Sequence, residues 1–142
     1  RVARKREIYL HYYSAFMDYK NFHMMPIDAF GSYSNCWLSA AVIDNDCKVT
    51  PVELINELAR NDIESRPMWK PMHLQPLFEN NEFFYAGEKP NDEEIFAKGI
   101  CLPSDILMTI EQQDFVIKVI KDFLDKNKLT DEQKRKIFSK RN

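Results

Sequence analysis

Glycine is scarce in this chain. The 142 residues include three glycines, Gly31, Gly87 and Gly99, which stand far apart. The glycine-rich loops that bind phosphate in dinucleotide-binding folds and in P-loop proteins need several closely spaced glycines. The sequence therefore excludes both of these phosphate-binding loops.

Cysteine and histidine are also sparse. There are three cysteines, Cys36, Cys47 and Cys101, without a CxxC pair, and three histidines at no recognisable metal spacing. An odd and widely spaced set of cysteines is typical of reduced thiols in a reducing compartment. No metal site is expected, because structural zinc sites need four Cys or His ligands at characteristic spacings.

Long apolar runs and a dominant charge are missing as well. No apolar run approaches the roughly 20 residues that a membrane-spanning helix needs. Lys and Arg number 20 and Asp and Glu number 22, so the net charge is −2. This balance gives no overall attraction to nucleic acid or to an anionic membrane, and neither is expected as a partner.

Composition and patterning indicate one small globular domain of the α+β class. Apolar residues make up 44% of the chain and aromatic residues 13%, which suits a folded core. Apolar spacing and capping residues predict four helices and about three short strands packed with them. The helices are predicted over 3–22, 51–61, 92–98 and 110–125, and the strands over 36–44, 63–66 and 100–102, with 24–27 as a candidate for one more.

Single residues mark several of these boundaries. Thr50 and Thr109 are predicted N-caps, and Gly99 is a predicted C-cap. Trp37 lies in the apolar run CWLSAAVID and is predicted to be part of the core. After Leu129 the chain is highly charged, and Thr130 is a candidate cap for a further helix there.

The most informative stretch is Glu64 to Phe78, ESRPMWKPMHLQPLF, which we call the proline segment. Its three prolines fix φ and lack backbone donors, so it is neither a regular helix nor a central strand. We predict a stiff loop that carries cations, an indole, an imidazole and an amide. Rigid loops with such side chains often carry binding sites.

Five side chains of the proline segment are candidate ligand contacts. Arg66 and Lys70 suit a phosphate or a carboxylate, although casual surface ion pairs would explain them equally well. Trp69 is suited to stacking on a base or sugar ring, or to plugging a gap beside the core. For His73 and Gln75, structural hydrogen bonds are the simpler explanation.

No catalytic arrangement is evident from the residues alone. Cys101 with His73 would need a third, orienting group, and nothing in the sequence marks one. The aromatic run Phe83, Phe84 and Tyr85 is predicted to serve packing, either within the domain or against a partner chain.

The proline segment resembles a signature of the DegT-type family of pyridoxal phosphate (PLP)-dependent sugar-nucleotide aminotransferases. Further pieces are similar to that family in the same order, so that the resemblance covers about residues 1–125. These pieces are ARKREIYLHYYSAF, SNCWLSAAVID, VELINELARNDIESRP and KGICLPSD.

The resemblance implies that residues 1–142 are the small C-terminal domain of a fold-type I PLP-dependent transferase. Residues 1–24 would then be the helix between the domains, and 126–142 a charged tail. The complete enzyme is expected to be a cytoplasmic homodimer. It would convert a keto sugar nucleotide, a UDP-linked 4-keto-6-deoxy-N-acetylhexosamine, to the amino sugar, with glutamate as the donor.

One departure from the family pattern is decisive. The serine-bearing segment with the lysine that binds the cofactor covalently is absent from this chain. The resemblance therefore implies no catalytic residue here, PLP bound mainly by another domain, and a chain that is inactive alone. It implies substrate binding by Arg66, Trp69, Lys70, His73 and Gln75. A non-catalytic module that binds anions or a partner is the alternative, and a self-contained enzyme using Cys101 or His73 is a weaker third.

Overall fold

The computed structural model describes residues 1–44, 47–87 and 89–128. Within these ranges the chain forms four α-helices and four strands. The helices are α1 (Val2–Phe16), α2 (Pro51–Arg60), α3 (Asn91–Lys98) and α4 (Ile110–Lys126). The strands are β1 (Phe22–Met24), β2 (Ser39–Ile43), β3 (Arg66–Pro67) and β4 (Gly99–Leu102), and short 3₁₀ helices occur at Ala29–Gly31 and Met72–Leu74. The predicted α+β class is confirmed.

The four strands form one antiparallel sheet in the order β1-β2-β4-β3. β4 is central, with Cys101 opposite Ala40 of β2 and opposite Arg66 of β3. Every residue of β4 is buried, as expected for a strand paired on both sides. The sheet therefore brings the start of the proline segment against β4 and beside the residues that precede β2.

The first helix is shorter than the sequence predicted. A single helix over 3–22 was expected, but α1 ends at Phe16 and β1 begins at Phe22. Phe22 pairs with Ile43 of β2 and is fully buried, with its ring centroid 4.7 Å from that of Phe16. Long-range pairing with β2 thus outweighs the helical apolar spacing of this stretch. β1 is thus a fourth strand, and it overlaps the predicted candidate at 24–27 only at Met24.

The two threonine caps are confirmed. The side chains of Thr50 and Thr109 each accept a hydrogen bond from the backbone N–H three residues later, and the side chains of Glu53 and Gln112 accept one from the backbone N–H of the cap residue. Such a capping box satisfies two backbone donors that the helix itself leaves unpaired. Both helices therefore begin where the sequence predicted.

Gly99 is the C-cap of α3, as predicted. Its φ of −91° and ψ of 152° are extended, however, because it is also the first residue of β4, and it does not adopt the left-handed conformation for which helix ends commonly use glycine. Glycine is required for a different reason, because a Cβ there would lie 2.2 Å from Cγ of Met68. Met68 belongs to the proline segment, so the glycine lets that segment pack on the sheet.

The core lies where α1, α2 and α4 meet the sheet. Its largest fully buried apolar side chains come from these helices and from two strands; they are Tyr12, Phe16, Phe22, Ile8, Leu54, Leu58, Ile100 and Ile120. Each contributes roughly 1.5–3 kcal/mol by leaving water. The buried amide of Gln113 in α4 donates to the carbonyl of Ile8 in α1 at 2.7 Å, which ties the two helices together.

The described residues hold neither a membrane-spanning helix nor a cluster of metal ligands. No described helix has the length and apolar character required to cross a membrane. No group of three or more His, Cys, Asp or Glu side chains in these ranges is arranged to hold a metal ion. The predicted helix capped by Thr130 lies outside the described residues.

Candidate functional site

A cavity of about 720 Å³ lies between the proline segment, the end of β4 and the residues before β2. Three of the five predicted contact residues, Arg66, Trp69 and Lys70, line it. His73 and Gln75 are not among its lining residues. The structure thus gathers the two cations and the indole around one concavity, and places the imidazole and the amide elsewhere.

Local structure accounts for this arrangement. Arg66 and Pro67 pair with β4, and Met68 then packs its side chain against Gly99, with its sulfur 3.5 Å from the sulfur of Cys101. The backbone after Met68 is restricted by Pro71. Trp69 and Lys70 therefore lie in a short stretch between Met68, which packs on the sheet, and Pro71, which restricts the backbone.

Arg66 is exposed and paired with a carboxylate. Its Nε and Nη2 donate to Oε1 of Glu64 at 3.0 and 2.6 Å, and both side chains are about three-quarters exposed. Exposed pairs of this kind contribute at most about 1 kcal/mol to stability. Glu64 also lines the cavity, so an incoming anion would compete with it for the guanidinium.

Lys70 presents a charge that is not neutralised locally. Within the described ranges no carboxylate lies within 4 Å of its ammonium group, and the side chain is exposed. Lys70 also accepts a hydrogen bond at its carbonyl from Nε2 of Gln75 at 3.1 Å. Gln75 thus makes the loop-stabilising backbone bond that the sequence offered as its simpler role.

Trp37 was predicted to be core, and this prediction was wrong. It is 64% exposed, lines the cavity and stacks on Trp69, with ring centroids 5.6 Å apart and 28° between the planes. Trp37 lies two residues before the buried Ser39 and four before the buried Ala41, so a strand that included Trp37 would direct its side chain to the same buried face. The strand begins only at Ser39, however, and Cys36 has a φ of 48°, which turns the backbone before it.

His73 serves to attach the proline segment to α3. Its Nε2 lies 2.8 Å from Oε1 of Glu93, and its Nδ1 lies 3.6 Å from Oδ2 of Asp92. Its ring stacks on Phe83 with centroids 3.6 Å apart, and Phe83 stacks in turn on Tyr85. Only 13% of the His73 side chain is exposed. The imidazole is therefore a structural partner of the two carboxylates.

Lys5 fixes the opposite wall of the cavity, and the sequence gave no sign of this role. From α1 its ammonium donates to the carbonyls of Trp37, at 3.1 Å, and of Ser104. Ser104 accepts from the N–H of Ser39 and donates to the carbonyl of Leu102, both at 2.9 Å. One lysine thus joins the segment that carries Trp37 to the segment that follows β4.

The structure offers no local catalytic group at Cys101. Burial raises the pKa of this thiol, and among the described residues its hydrogen-bond partner is the thioether of Met68, which is not a base. A thiol with a raised pKa and no base is a poor nucleophile at neutral pH.

The described residues do not form a site for covalent attachment of PLP. Of the lysines in the described ranges, Lys70 alone lines the cavity, and it is exposed to solvent. A lysine that forms an imine with a carbonyl compound needs a desolvated or otherwise activated amine. Lys70 therefore does not meet this requirement.

Comparison with known proteins places this fold among aminotransferases. EpsN of Bacillus subtilis (strain 168), with an inferred PLP-dependent aminotransferase activity, is 39% identical over 122 residues, which are 84% of this chain and 30% of EpsN. GDP-perosamine synthase of Vibrio cholerae is 30% identical over 96 residues, which are 66% of this chain and 25% of that enzyme. The chain thus spans less than a third of the length of either relative.

A solved structure supports the same fold. Spr1654 of Streptococcus pneumoniae, an inferred sugar aminotransferase in its PLP form, superposes with a TM-score of 0.74 at 24% sequence identity. The match covers 91% of this chain and 32% of Spr1654. PLP, the cofactor predicted from the sequence, is the one named for EpsN and for this form of Spr1654.

The sequence model of the DegT/DnrJ/EryC1/StrS aminotransferase family matches residues 1–121. That range contains the proline segment, the Trp37–Trp69 pair and the cavity they line. The resemblance seen in the sequence is therefore confirmed, and the chain belongs to the DegT/DnrJ/EryC1/StrS aminotransferase family.

Proposed function

We propose that this chain is the substrate-covering small domain of a PLP-dependent sugar-nucleotide aminotransferase. The complete enzyme would be a cytoplasmic homodimer that converts a keto sugar nucleotide to the amino sugar, with glutamate as the donor. A UDP-linked 4-keto-6-deoxy-N-acetylhexosamine is the proposed substrate. One observation carries the proposal: in a member of this family, Arg66, Trp69 and Lys70 line a single cavity.

In the complete enzyme, this chain would bind the substrate and another domain would bind the cofactor. When bound in the complete enzyme, PLP supplies the electron sink for amino transfer, and another domain would hold it. Residues 1–142 would form the small domain, with the helix near residues 1–24 adjoining the other domain and a charged tail over 126–142. This chain would contribute binding and orientation of the substrate and exclusion of water from it.

The proposed contacts use the charges of the cavity. A diphosphate carries several acceptor oxygens, and a guanidinium beside an ammonium complements them. The diphosphate would displace Glu64 from Arg66 and would meet Lys70 without such competition. His73 and Gln75 would act as positioning residues, because their hydrogen bonds hold the proline segment in place.

The test is a titration of the 142-residue chain with a UDP-linked N-acetylhexosamine, monitored by calorimetry. Arg66→Ala and Lys70→Ala should each weaken binding about tenfold, the lower end of the range for hydrogen bonds to charged groups, because the site is open to water. Glu64→Gln should tighten binding severalfold, since it removes the competing carboxylate.

A second ion pair offers matched controls. Arg60 and Glu57 form an exposed pair at 3.0 Å on α2, and neither residue lines the cavity. Arg60→Ala and Glu57→Gln should leave the affinity unchanged. The proposal fails if the Arg66 and Lys70 variants bind as well as the unaltered chain. Equal affinity for simple polyanions would instead favour the non-catalytic anion-binding module.

A further inference from the structure

The two tryptophans of this chain are stacked on each other at the cavity. We propose that the Trp37–Trp69 pair is the platform on which the base of a nucleotide substrate stacks. This inference rests on the proposed function and adds to it the part of the ligand that the indoles contact. It also makes Trp37 a binding residue, although Trp37 lies outside the proline segment.

The exposure of the pair is its informative property. Tryptophan is highly buried on average in folded proteins, whereas Trp37 is 64% and Trp69 is 63% exposed. Stacking on each other leaves most of both rings in contact with water. A ligand that covers them would bury large apolar rings at a site that already holds cations.

The spacing of the rings restricts how a ligand can bind. The indole centroids are 5.6 Å apart, whereas a third ring between them would need a separation of about 7 Å, two carbon–carbon contact distances. A planar ligand must therefore add to an outer face and extend the stack. A nucleobase suits this geometry, because every base has a π-face.

The platform is held before any ligand arrives. The N–H of Trp37 donates to Oδ1 of Asn35 at 3.0 Å, and its carbonyl accepts from Lys5. Trp69 is restrained by the prolines on either side of it, Pro67 and Pro71. A site with fixed backbone loses little entropy on binding, which favours affinity.

The charges beside the platform select the class of ligand. Lys70 follows Trp69 directly, and Arg66 lies three residues before it on the same cavity. The ligand should therefore carry an anionic group within a few ångströms of a planar ring. A nucleoside diphosphate has both features, whereas an unphosphorylated sugar has neither.

The experiment compares two ligands of the 142-residue chain by calorimetry: uridine 5′-diphosphate, and ribose 5-diphosphate, which lacks only the base. Trp37→Leu and Trp69→Leu should each weaken binding of uridine 5′-diphosphate roughly 5- to 150-fold, the range measured for base stacking on aromatic side chains. Both variants should bind ribose 5-diphosphate within twofold of the unaltered chain. Trp37→Phe, which can still stack, should retain most of the affinity.

Controls separate stacking from folding. Phe84→Leu changes an exposed ring that does not line the cavity and should leave both affinities unchanged. The stacked pair should give an exciton couplet in the circular dichroism of the unaltered chain. Trp37→Phe and Trp69→Phe should each abolish the couplet, while the remaining spectrum reports that the variant is folded.

Each remaining outcome overturns the inference in a distinguishable way. If the Leu variants weaken both ligands equally, or neither, while Arg66→Ala and Lys70→Ala weaken both, the platform is wrong and the proposed function stands. If the Leu variants weaken a UDP-sugar but not uridine 5′-diphosphate, the indoles contact the sugar instead. If the unaltered chain binds neither ligand, the inference and the proposed substrate contacts both fail.

Discussion

Gly99→Ala should destabilise the fold by displacing the proline segment. Gly99 has ordinary extended dihedral angles, so the backbone itself accepts an alanine. The added methyl group is the difficulty, because it would lie 2.2 Å from Cγ of Met68 and 2.5 Å from the carbonyl oxygen of Ile95. The first neighbour is the middle of a side chain, and the second is helix backbone.

The structure also sets the size of the effect. Met68 can leave only by giving up its packing on the sheet, and the carbonyl of Ile95 can move only with the end of α3. Overpacking of this kind costs about 1–3 kcal/mol, and the backbone contact places Gly99→Ala near the upper end. That is a large part of the 5–15 kcal/mol by which a domain is typically stable.

Denaturation in urea, followed by circular dichroism, measures this free energy of unfolding. Gly31→Ala is the control, because its Cβ would meet nothing within 4 Å and the only cost, about 1–2 kcal/mol, comes from its φ of +79°. Met68→Ala combined with Gly99→Ala should lose less stability than the sum of the two single changes, since one clash is removed. The reasoning is refuted if Gly99→Ala unfolds within 0.5 kcal/mol of the unaltered chain, a margin typical of neutral surface changes.

Two further predictions concern titrating groups. The pKa of Asp28 is lowered from 3.8 to about 2, chiefly by its hydrogen bond with Arg6. A carboxyl group with a lowered pKa stabilises the fold above pH 4, and this stabilisation is lost as the pH falls towards 2. Asp28→Asn should therefore make the free energy of unfolding depend less on pH in this acid range, and an unchanged dependence would contradict the prediction. Burial raises the pKa of the Cys101 thiol, so iodoacetamide should alkylate Cys101 more slowly at pH 8 than it alkylates the less buried Cys47. Peptide mapping measures the two rates, and their difference should shrink as the pH rises. Equal rates at pH 8 would contradict the prediction.

Local signals predicted the elements that local interactions determine. Both threonine capping boxes lie within a few residues of their partners, so α2 and α4 begin where the sequence indicated. The end of α1 was missed because it depends on β1 pairing with β2, about 20 residues further along the chain. The role of Gly99 was missed for a similar reason, since Met68 lies 31 positions earlier.

The candidate site divides in the same way. Three prolines and a dense set of polar side chains indicated from the sequence that the proline segment is a candidate site. In the structure, its residues Arg66, Trp69 and Lys70 line one cavity. Trp37 and Lys5 carried no such signal. Trp37 lies in an apolar run, which suggests a buried side chain. Lys5 is a basic residue in a helix, which suggests a side chain exposed to solvent.

The amino-acid sequence by itself determined the fold class, the family and the stiffness of the segment that carries the cations, because composition, capping and proline act over short distances. Tertiary structure alone decided which side chains share the cavity. It stacked one indole on another across 32 positions of chain, and it turned His73 towards two carboxylates of α3. Contacts between distant residues depend on how the sheet is paired, and no short stretch of sequence encodes that pairing.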